Sequence, residues 1–369
     1  MPKAKETVLE IDLKALQHNL EYIKSKLKTN TKILAVVKAF AYGSDAEVIA
    51  NYLQNLDIDY FAVAYVSEGV ALRDAGVKTP ILVLHPQAIN FKTLIERCLE
   101  PSLYNAKVLN EFITIASQEH QKNYPVHIKF NTGLNRLGFD ENEVTDVVLK
   151  LKTTTAVKVK SLFSHLAASE DLNEKEFTEQ QIKRFKTITE QFSNALGYQP
   201  LLHLTNTSGI LNYPEAHLDM VRTGIGLYGY GNSETENKNL IPIATLKSVI
   251  SQIHTIKKGE TVGYNRAYTS KDIQKTATIP IGHADGIGRQ YGNEKGFVTI
   301  HGQKAPIIGN VCMDMIMVNV TDIACNEGDE VIIFGTTTNA AEFARTANTI
   351  SYEIITAISQ RVKRTFLDN

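Results

Sequence analysis

Long apolar runs are missing from this chain. No stretch approaches the ~20 consecutive residues that a helix needs to cross a bilayer, so no membrane partner is expected. An excess of charge of one sign is missing too. Its 369 residues carry 39 Lys+Arg against 40 Asp+Glu, so no net field recruits nucleic acid or an anionic surface. Cysteine is scarce: Cys98, Cys312 and Cys325 are odd in number and far apart. That argues against a disulfide framework and for a reducing, cytoplasmic setting. No CxxC or HExxH spacing occurs, so no metal site is expected. The opening MPKAKETVLEIDL lacks the apolar core of a signal peptide. What remains is an ordinary globular balance, 43% hydrophobic and 21% charged, over a length that suits about two domains.

The first two-thirds of the chain alternates short apolar runs with helical periodicity. Leu13, Leu16, Leu20, Ile23 and Leu27 recur at spacings of three and four, behind Asp12 as a helix N-cap. ILAVVKA follows, and Ser44-Asp-Ala-Glu47 spells a capping box that opens the next helix. Further strand-like runs are FAVAYV, ILVLH, PSLY, VHIKF, VKSLFSHL, LLHLTN and MVRTGIGLYG, mostly separated by helical segments. Eight such units over about 220 residues suit a closed (β/α)8 barrel of the TIM type better than an open sheet. The segment GNSETENKN, 231–239, reads as a linker or long surface loop. Beyond it ATLKSVISQIHTI, TATIPIG, GFVTIHG, APIIGNVCMDMIMVNV and EVIIFG form a Gly-punctuated all-β pattern, closed by a helical stretch near 350–362. The expectation is an α/β fold: a barrel over 1–236 and a smaller, mostly-β domain over 237–369, with the first ~10 residues pairing with the second domain.

Chemistry in such a barrel sits at the C-terminal ends of the strands. Lys38 falls at the tip of the first strand, where an ammonium must reach water, find a partner or lose its charge. A lysine there either extends its stem to solvent or serves as an amine nucleophile toward a carbonyl cofactor. Lys129 falls near the end of the fifth strand with Arg136 in the turn after it, His165 ends the sixth, Asn206 and Thr207 end the seventh, and Arg222 lies within the eighth just before Thr223-Gly224-Ile225-Gly226. Thr207, Ser208 and the backbone N–H groups near Gly224 and Ile225 could cradle a phosphate. The rim suits an anionic, carbonyl-bearing cofactor.

AVVKAFAYG, HIKFNTGLNRLGF, SLFSHLA, HLTNTSG, DMVRTGIGLYG, TLKSVI, TVGYNRAY, ADG, VCMDM, GDEV and SYEIITAISQRVKR occur in order over most of the chain. As an ordered set they resemble the alanine racemases, pyridoxal 5'-phosphate enzymes with a barrel and a C-terminal β-domain. The resemblance implies that Lys38 carries the cofactor and acts as a base on one face of the substrate Cα. Tyr264 matches the acid/base of the opposite face, contributed by the other subunit of a homodimer, and His165 matches its hydrogen-bonding histidine. A free phenol titrates near pH ~10 and needs such help to act near neutrality. Arg222 matches the arginine facing the pyridine nitrogen. A guanidinium has no acceptor and keeps its proton, so it disfavours a protonated pyridine. His203 matches the residue that supports this arginine.

Tyr42, Thr207, Gly224, Ile225 and Tyr352 match the phosphate-binding set, with Asn206 adjacent. Arg136 and the Met313 backbone N–H match the holders of the substrate carboxylate. Lys129 matches a lysine that is carbamylated in some members and then orients Arg136; unmodified, it would repel it. Asp314 matches an acidic residue near the active-site mouth. Several positions depart from the family pattern: Phe40, Ser44 and Asp45 after the lysine, Asn131 and Leu134 in KFNTGL, Thr207 for serine, His283 for tyrosine and Asn310 for arginine.

The implied function is interconversion of L- and D-alanine for peptidoglycan precursors. A serine, lysine or broader-specificity racemase would differ only in the pocket wall, and one methylene is worth only ~1–3 kcal/mol of discrimination. A barrel-type decarboxylase would place an acidic residue where Arg222 stands. A non-enzymatic pyridoxal-phosphate carrier would lack the β-domain that holds Tyr264.

Overall fold

The computed structural model describes residues 4–335 and 338–367. Strand β1 (Val8–Asp12) leads into the helix Leu13–Ser25, whose first turn is capped by the Asp12 carboxylate accepting from Ala15 N at 2.9 Å. The apolar stripe expected from the sequence, including Leu16, Leu20 and Ile23, is buried. Strands β2 (Lys32–Val36), β3 (Tyr60–Val63), β4 (Ile81–Val83), β5 (Glu100–Leu103), β6 (Tyr124–Lys129), β7 (Val157–Phe163), β8 (Leu201–His203) and β9 (Met220–Thr223) close into a parallel barrel. Closure is made by β9 pairing with β2, Lys32 opposite Met220 through Ala35 opposite Thr223. All eight runs read as strands take part, the short PSLY among them. Leu34, Tyr60, Ala62, Leu82 and Met220 pack as one apolar cluster contributed by β2, β3, β4 and β9. The barrel is thus filled, as a side-chain core and not as a pore.

The second part is a nine-stranded sheet. Its strands are β10 (Ala244–Val249), β11 (Gln252–Ile256), β14 (Gln274–Ile279), β15 (Phe297–Ile300), β16 (Gln303–Ile308), β17 (Ile316–Asn319), β18 (Glu330–Phe334) and β19 (Lys363–Leu367), joined by β1. In space the order is β11-β14-β17-β16-β15-β18-β10-β1-β19. Chain start and chain end meet there: β1 runs antiparallel to β10 and parallel to β19. A small hairpin, β12 (Thr261–Val262) with β13 (Tyr268–Thr269), stands apart from the sheet.

Four local expectations are corrected. The first strand ends at Val36, two residues before Lys38, because the backbone turns left-handed directly after the lysine: Ala39, Phe40, Ala41 and Tyr42 all have φ between 49° and 56°. The next helix, Ala46–Asn55, is capped by Asp45 and not Ser44; Asp45 Oδ1 accepts from Glu47 N and Val48 N. The polar segment 231–239 is no free linker. It contains a short helix, Glu234–Asn237, whose Glu236 is buried and accepts from Ser208 Oγ, Asn212 Nδ2 and Asn232 N. Polar composition suggested solvent, but a carboxylate with three donors can be buried. The closing helix is shorter than expected, Ser351–Ala357.

Candidate active site

A cavity of about 370 Å³ opens at the C-terminal ends of the barrel strands. Lys38, Tyr42, Lys129, Arg136, His165, Asn206, Thr207, Arg222, Gly224, Ile225 and Tyr352 all line it. Residues that the sequence brought from many strand ends therefore share one chamber. Tyr352 reaches it from the helix Ser351–Ala357, so both parts of the chain build the wall.

The turn after β2 aims Lys38. Glu68 clamps it: one carboxylate oxygen accepts from Ala39 N at 2.6 Å, the other from Ala64 N and Tyr65 N at the end of β3. Gly43 ends the turn at φ 83°, where a Cβ would stand 2.1 Å from Ile355 O. Its carbonyl accepts two bonds from Arg364 of β19, and the Arg364 guanidinium lies over the Phe40 ring at 5.5 Å. Four successive positive φ values are costly for residues with a Cβ, and this ring of contacts holds them. Burial lowers the Lys38 pKa, Arg136 adds to the effect, and Glu68 opposes it. The free amine is thereby favoured.

Arg222 is buried beneath the chamber. NH1 donates to His203 Nδ1 at 2.9 Å; NH2 donates to Ser164 O at 2.7 Å, Leu204 O at 2.9 Å and His165 Nδ1 at 3.2 Å. A guanidinium only donates, so both Nδ1 atoms are acceptors and each neutral imidazole carries its proton on Nε2. Both rings are neutral: burial first, then Arg222, holds their pKa values well below the ordinary one. The His203 ring stacks on Phe163 at 4.8 Å, and Arg222 and Lys129 lie 5.5 and 5.8 Å from that ring's centre. Lys129 is pulled down to about 8 by burial and then by Arg136, Arg222 and Lys38.

The opposite wall is rich in hydrogen-bond donors. The backbone N–H groups of Gly224 and Ile225 have no acceptor among the described residues. A Cβ on Gly224 would lie 2.4 Å from the Tyr42 hydroxyl, so only glycine leaves that approach open. Tyr42 stacks on Tyr228 at 4.4 Å, and Tyr228 anchors to Val36 O at 3.0 Å. Burial raises the phenols of Tyr42 and Tyr352, the latter to about 12, so both remain protonated donors. Thr207 Oγ1 accepts from Gly226 N at 3.3 Å. Ser208 departs from expectation. It faces away from the chamber, donating to Glu236 and accepting from Asn232.

Tyr264, Met313 and Asp314 are not in this chamber. They share a separate, open groove with Gly263, Cys312, Met315 and Met317. Tyr264 sits in the turn between β12 and β13, 74% exposed, with its carbonyl held by Asn310 Nδ2 at 3.1 Å. The Met313 N–H has no acceptor among the described residues, while its carbonyl accepts from Ala284 N. Asp314 pairs with Arg361 at 2.6 Å, and Arg361 also binds Asp285. His203 does not touch the chamber and stands behind Arg222. Sequence reasoning missed Glu68, Phe163, His85 and Asn232 as neighbours or lining. Glu68 alone left a trace: an acid at the third position of a helix is a capping-box feature.

Two family models match, "Alanine racemase, N-terminal domain" over residues 11–232 and "Alanine racemase, C-terminal domain" over 243–366. The alanine racemase of Thermodesulfovibrio yellowstonii is 37% identical over 366 residues, covering 97% of each chain. The solved alanine racemase of Clostridium difficile 630 superposes with a TM-score of 0.93 at 33% identity, over 100% of this chain and 97% of that one. That of Bartonella henselae, with covalently bound pyridoxal phosphate, gives 0.89 at 28% identity, over 99% of this chain and 100% of that one. With the lysine, arginine, histidine and phosphate-side motifs gathered around one barrel-mouth chamber and family models matching residues 11–232 and 243–366, this chain belongs to the alanine racemase family.

Proposed function

We propose that the chain interconverts L- and D-alanine with pyridoxal 5'-phosphate, as a homodimer whose active sites are shared between subunits. The single observation that carries this is the division of the acid/base set. Lys38 lines the buried chamber, whereas Tyr264 is 74% exposed in a groove elsewhere on the same chain. A phenol held out in solvent by the β12–β13 turn, beside a Met313 N–H with no acceptor among the described residues, suits insertion into the chamber of a second copy.

The chamber fits the cofactor on its donor set. Tyr42, Tyr352, Thr207 and the two free N–H groups of Gly224 and Ile225 would hold a phosphate, with Asn206 beside them. Arg222 has five N–H donors, and its Nε–H and one NH1 proton make no hydrogen bond among the described residues, so they would face a ring nitrogen. The bound cofactor supplies the electron-withdrawing group that acidifies the Cα–H of an amino acid. Lys38 Nζ, favoured as the free amine, takes or returns the Cα proton on one face. The Tyr264 hydroxyl of the second copy returns or takes it on the other. His165, with its proton on Nε2, donates to the phenolic oxygen and favours its ionised form. Arg136 and the Met313 N–H of the second copy hold the substrate carboxylate, with Asp314 of that copy near the mouth. Arg222 would stand by the ring nitrogen of the bound cofactor, keep its charge and limit electron withdrawal, which would favour return of the proton to Cα.

The widely spaced cysteines support a cytoplasmic setting, and none of the described helices is long and apolar enough to cross a membrane. D-alanine made there would feed peptidoglycan precursors. The test is chiral chromatography of an amino-acid panel with pyridoxal phosphate supplied. Alanine should racemise fastest, and Lys38→Ala should lose the visible absorbance of covalently held cofactor. Turnover of serine or lysine without alanine would replace the substrate; an unchanged Lys38→Ala spectrum would remove the assignment of the lysine.

A further inference from the structure

The barrel interior is apolar on one side and polar on the other. Leu34, Ala62 and Leu82 fill the β2–β4 side, with Met220 of β9 closing it. Across β5 to β9, five consecutive strands each contribute one member of a hydrogen-bonded chain: Glu100, His127, Ser161, His203 and Arg222. Glu100 Oε2 lies 2.7 Å from His127 Nε2, His127 Nδ1 2.5 Å from Ser161 Oγ, and Ser161 Oγ 2.8 Å from His203 Nε2. His127, Ser161 and His203 are wholly buried.

The strand register is adjusted to make this chain. Val126 pairs with Val159, and continued register would set His127 opposite Lys160, an exposed residue; a shift between Val126 and His127 sets it opposite Ser161 instead. Such irregularities re-aim side chains. The ends of the chain fix its polarity. Arg222 can only donate, so His203 Nδ1 accepts and His203 Nε2–H donates to Ser161. The hydroxyl of Ser161 then donates to His127 Nδ1, and His127 Nε2–H donates to the ionised Glu100, which can only accept. The Tyr60 phenol also faces Glu100. Phe163, stacked at 8° on His203, keeps that ring in the plane the chain requires.

We infer that Glu100, His127 and Ser161 are positioning residues for Arg222, a directed relay that locks His203 in its Nε2–H tautomer and ends in the carboxylate that balances the buried guanidinium. Arg136 and Lys129 bring cations close to Arg222 and the neutral His165 ring accepts from it, so none of them supplies an anion. Tyr60, Tyr124 and Arg73 face Glu100, and His127 faces His203. Loss of the relay would let His203 flip its tautomer and present an N–H to Arg222, forcing the guanidinium off its hydrogen bond. The inference rests on the reading of Arg222 as the residue at the cofactor's ring nitrogen.

The test joins a readout that needs no turnover to one that does. ¹⁵N-histidine NMR of the wild-type protein should find His203 neutral with the proton on Nε2 from about pH 6 to 9. Ser161→Ala, which removes only a hydroxyl, should shift both rings' resonances, lower kcat about tenfold with KM within about twofold, and alter the pH dependence of the bound-cofactor absorbance. Glu100→Gln keeps an acceptor oxygen and the volume, so the tautomers should persist while the absorbance profile moves in the same direction by less. A cationic or Nδ1–H His203 in the wild type, or a Ser161→Ala enzyme with unaltered spectrum and kcat, would overturn the relay. The expected tautomers in a chain that racemises no amino acid would uphold the relay and sink the proposed function instead.

Discussion

Lys129 is 7% exposed, in a barrel mouth that already holds Lys38, Arg136 and Arg222. Burial disfavours its ammonium, Arg136, Arg222 and Lys38 add to the effect, and its pKa is pulled down to about 8. The neutral amine is a nucleophile toward CO₂; addition releases one proton and converts a site of repulsion into an anion facing Arg136. We expect the carbamate of Lys129 to form as pH rises through about 8 and to be lost as pH falls, because protonation removes the nucleophile. ¹³C NMR of protein equilibrated with labelled bicarbonate should give one carbamate signal, absent from Lys129→Ala; a signal that survives the substitution belongs to another amine. Residue identity at the chamber was largely readable from sequence, because lysines and arginines at strand ends are awkward unless they face something. Glu100, His127 and Ser161 were not readable: as isolated letters in short strands they match any satisfied polar core residue, and only a register shift joins them.

At the level of elements, the Lys38 turn is the most constrained piece. It joins a barrel strand to a helix through four left-handed residues and is pinned from the second part of the chain by Arg364 and the carbonyl of Ile355. Gly43→Ala would put a Cβ 2.1 Å from that carbonyl at φ 83°. It should destabilise by roughly 2–4 kcal/mol, read as a lower urea midpoint, and weaken cofactor retention as the helix bearing Tyr352 is pushed away. Wild-type stability and retention in this variant would mean that the turn is loosely held. Sequence periodicity found these elements but not how they bend, since a left-handed run of alanine, phenylalanine and tyrosine has no propensity that announces it. The segment 231–239 failed for the converse reason: its polarity is satisfied internally through Glu236.

For the whole molecule, the two halves of the acid/base set lie in different openings of one chain. If they meet across a subunit contact, Lys38→Ala and Tyr264→Phe chains, each inactive alone, should recover activity when mixed. Random pairing gives half heterodimers with one intact site of two, or about a quarter of wild-type activity. No recovery, with dimers confirmed by sedimentation, would place Tyr264 outside the reaction. The sequence by itself determined the barrel, the β-domain and the family, because those depend on alternation of apolar runs and on motifs that are local in the chain. Only the tertiary structure decided that Lys38 is aimed by a left-handed turn, that Ser208 turns away, that Tyr264 stands in solvent, and that five strands share one polarised hydrogen-bond chain. Direction and register are properties of neighbours that the chain brings together from far apart, and no stretch of sequence contains both partners.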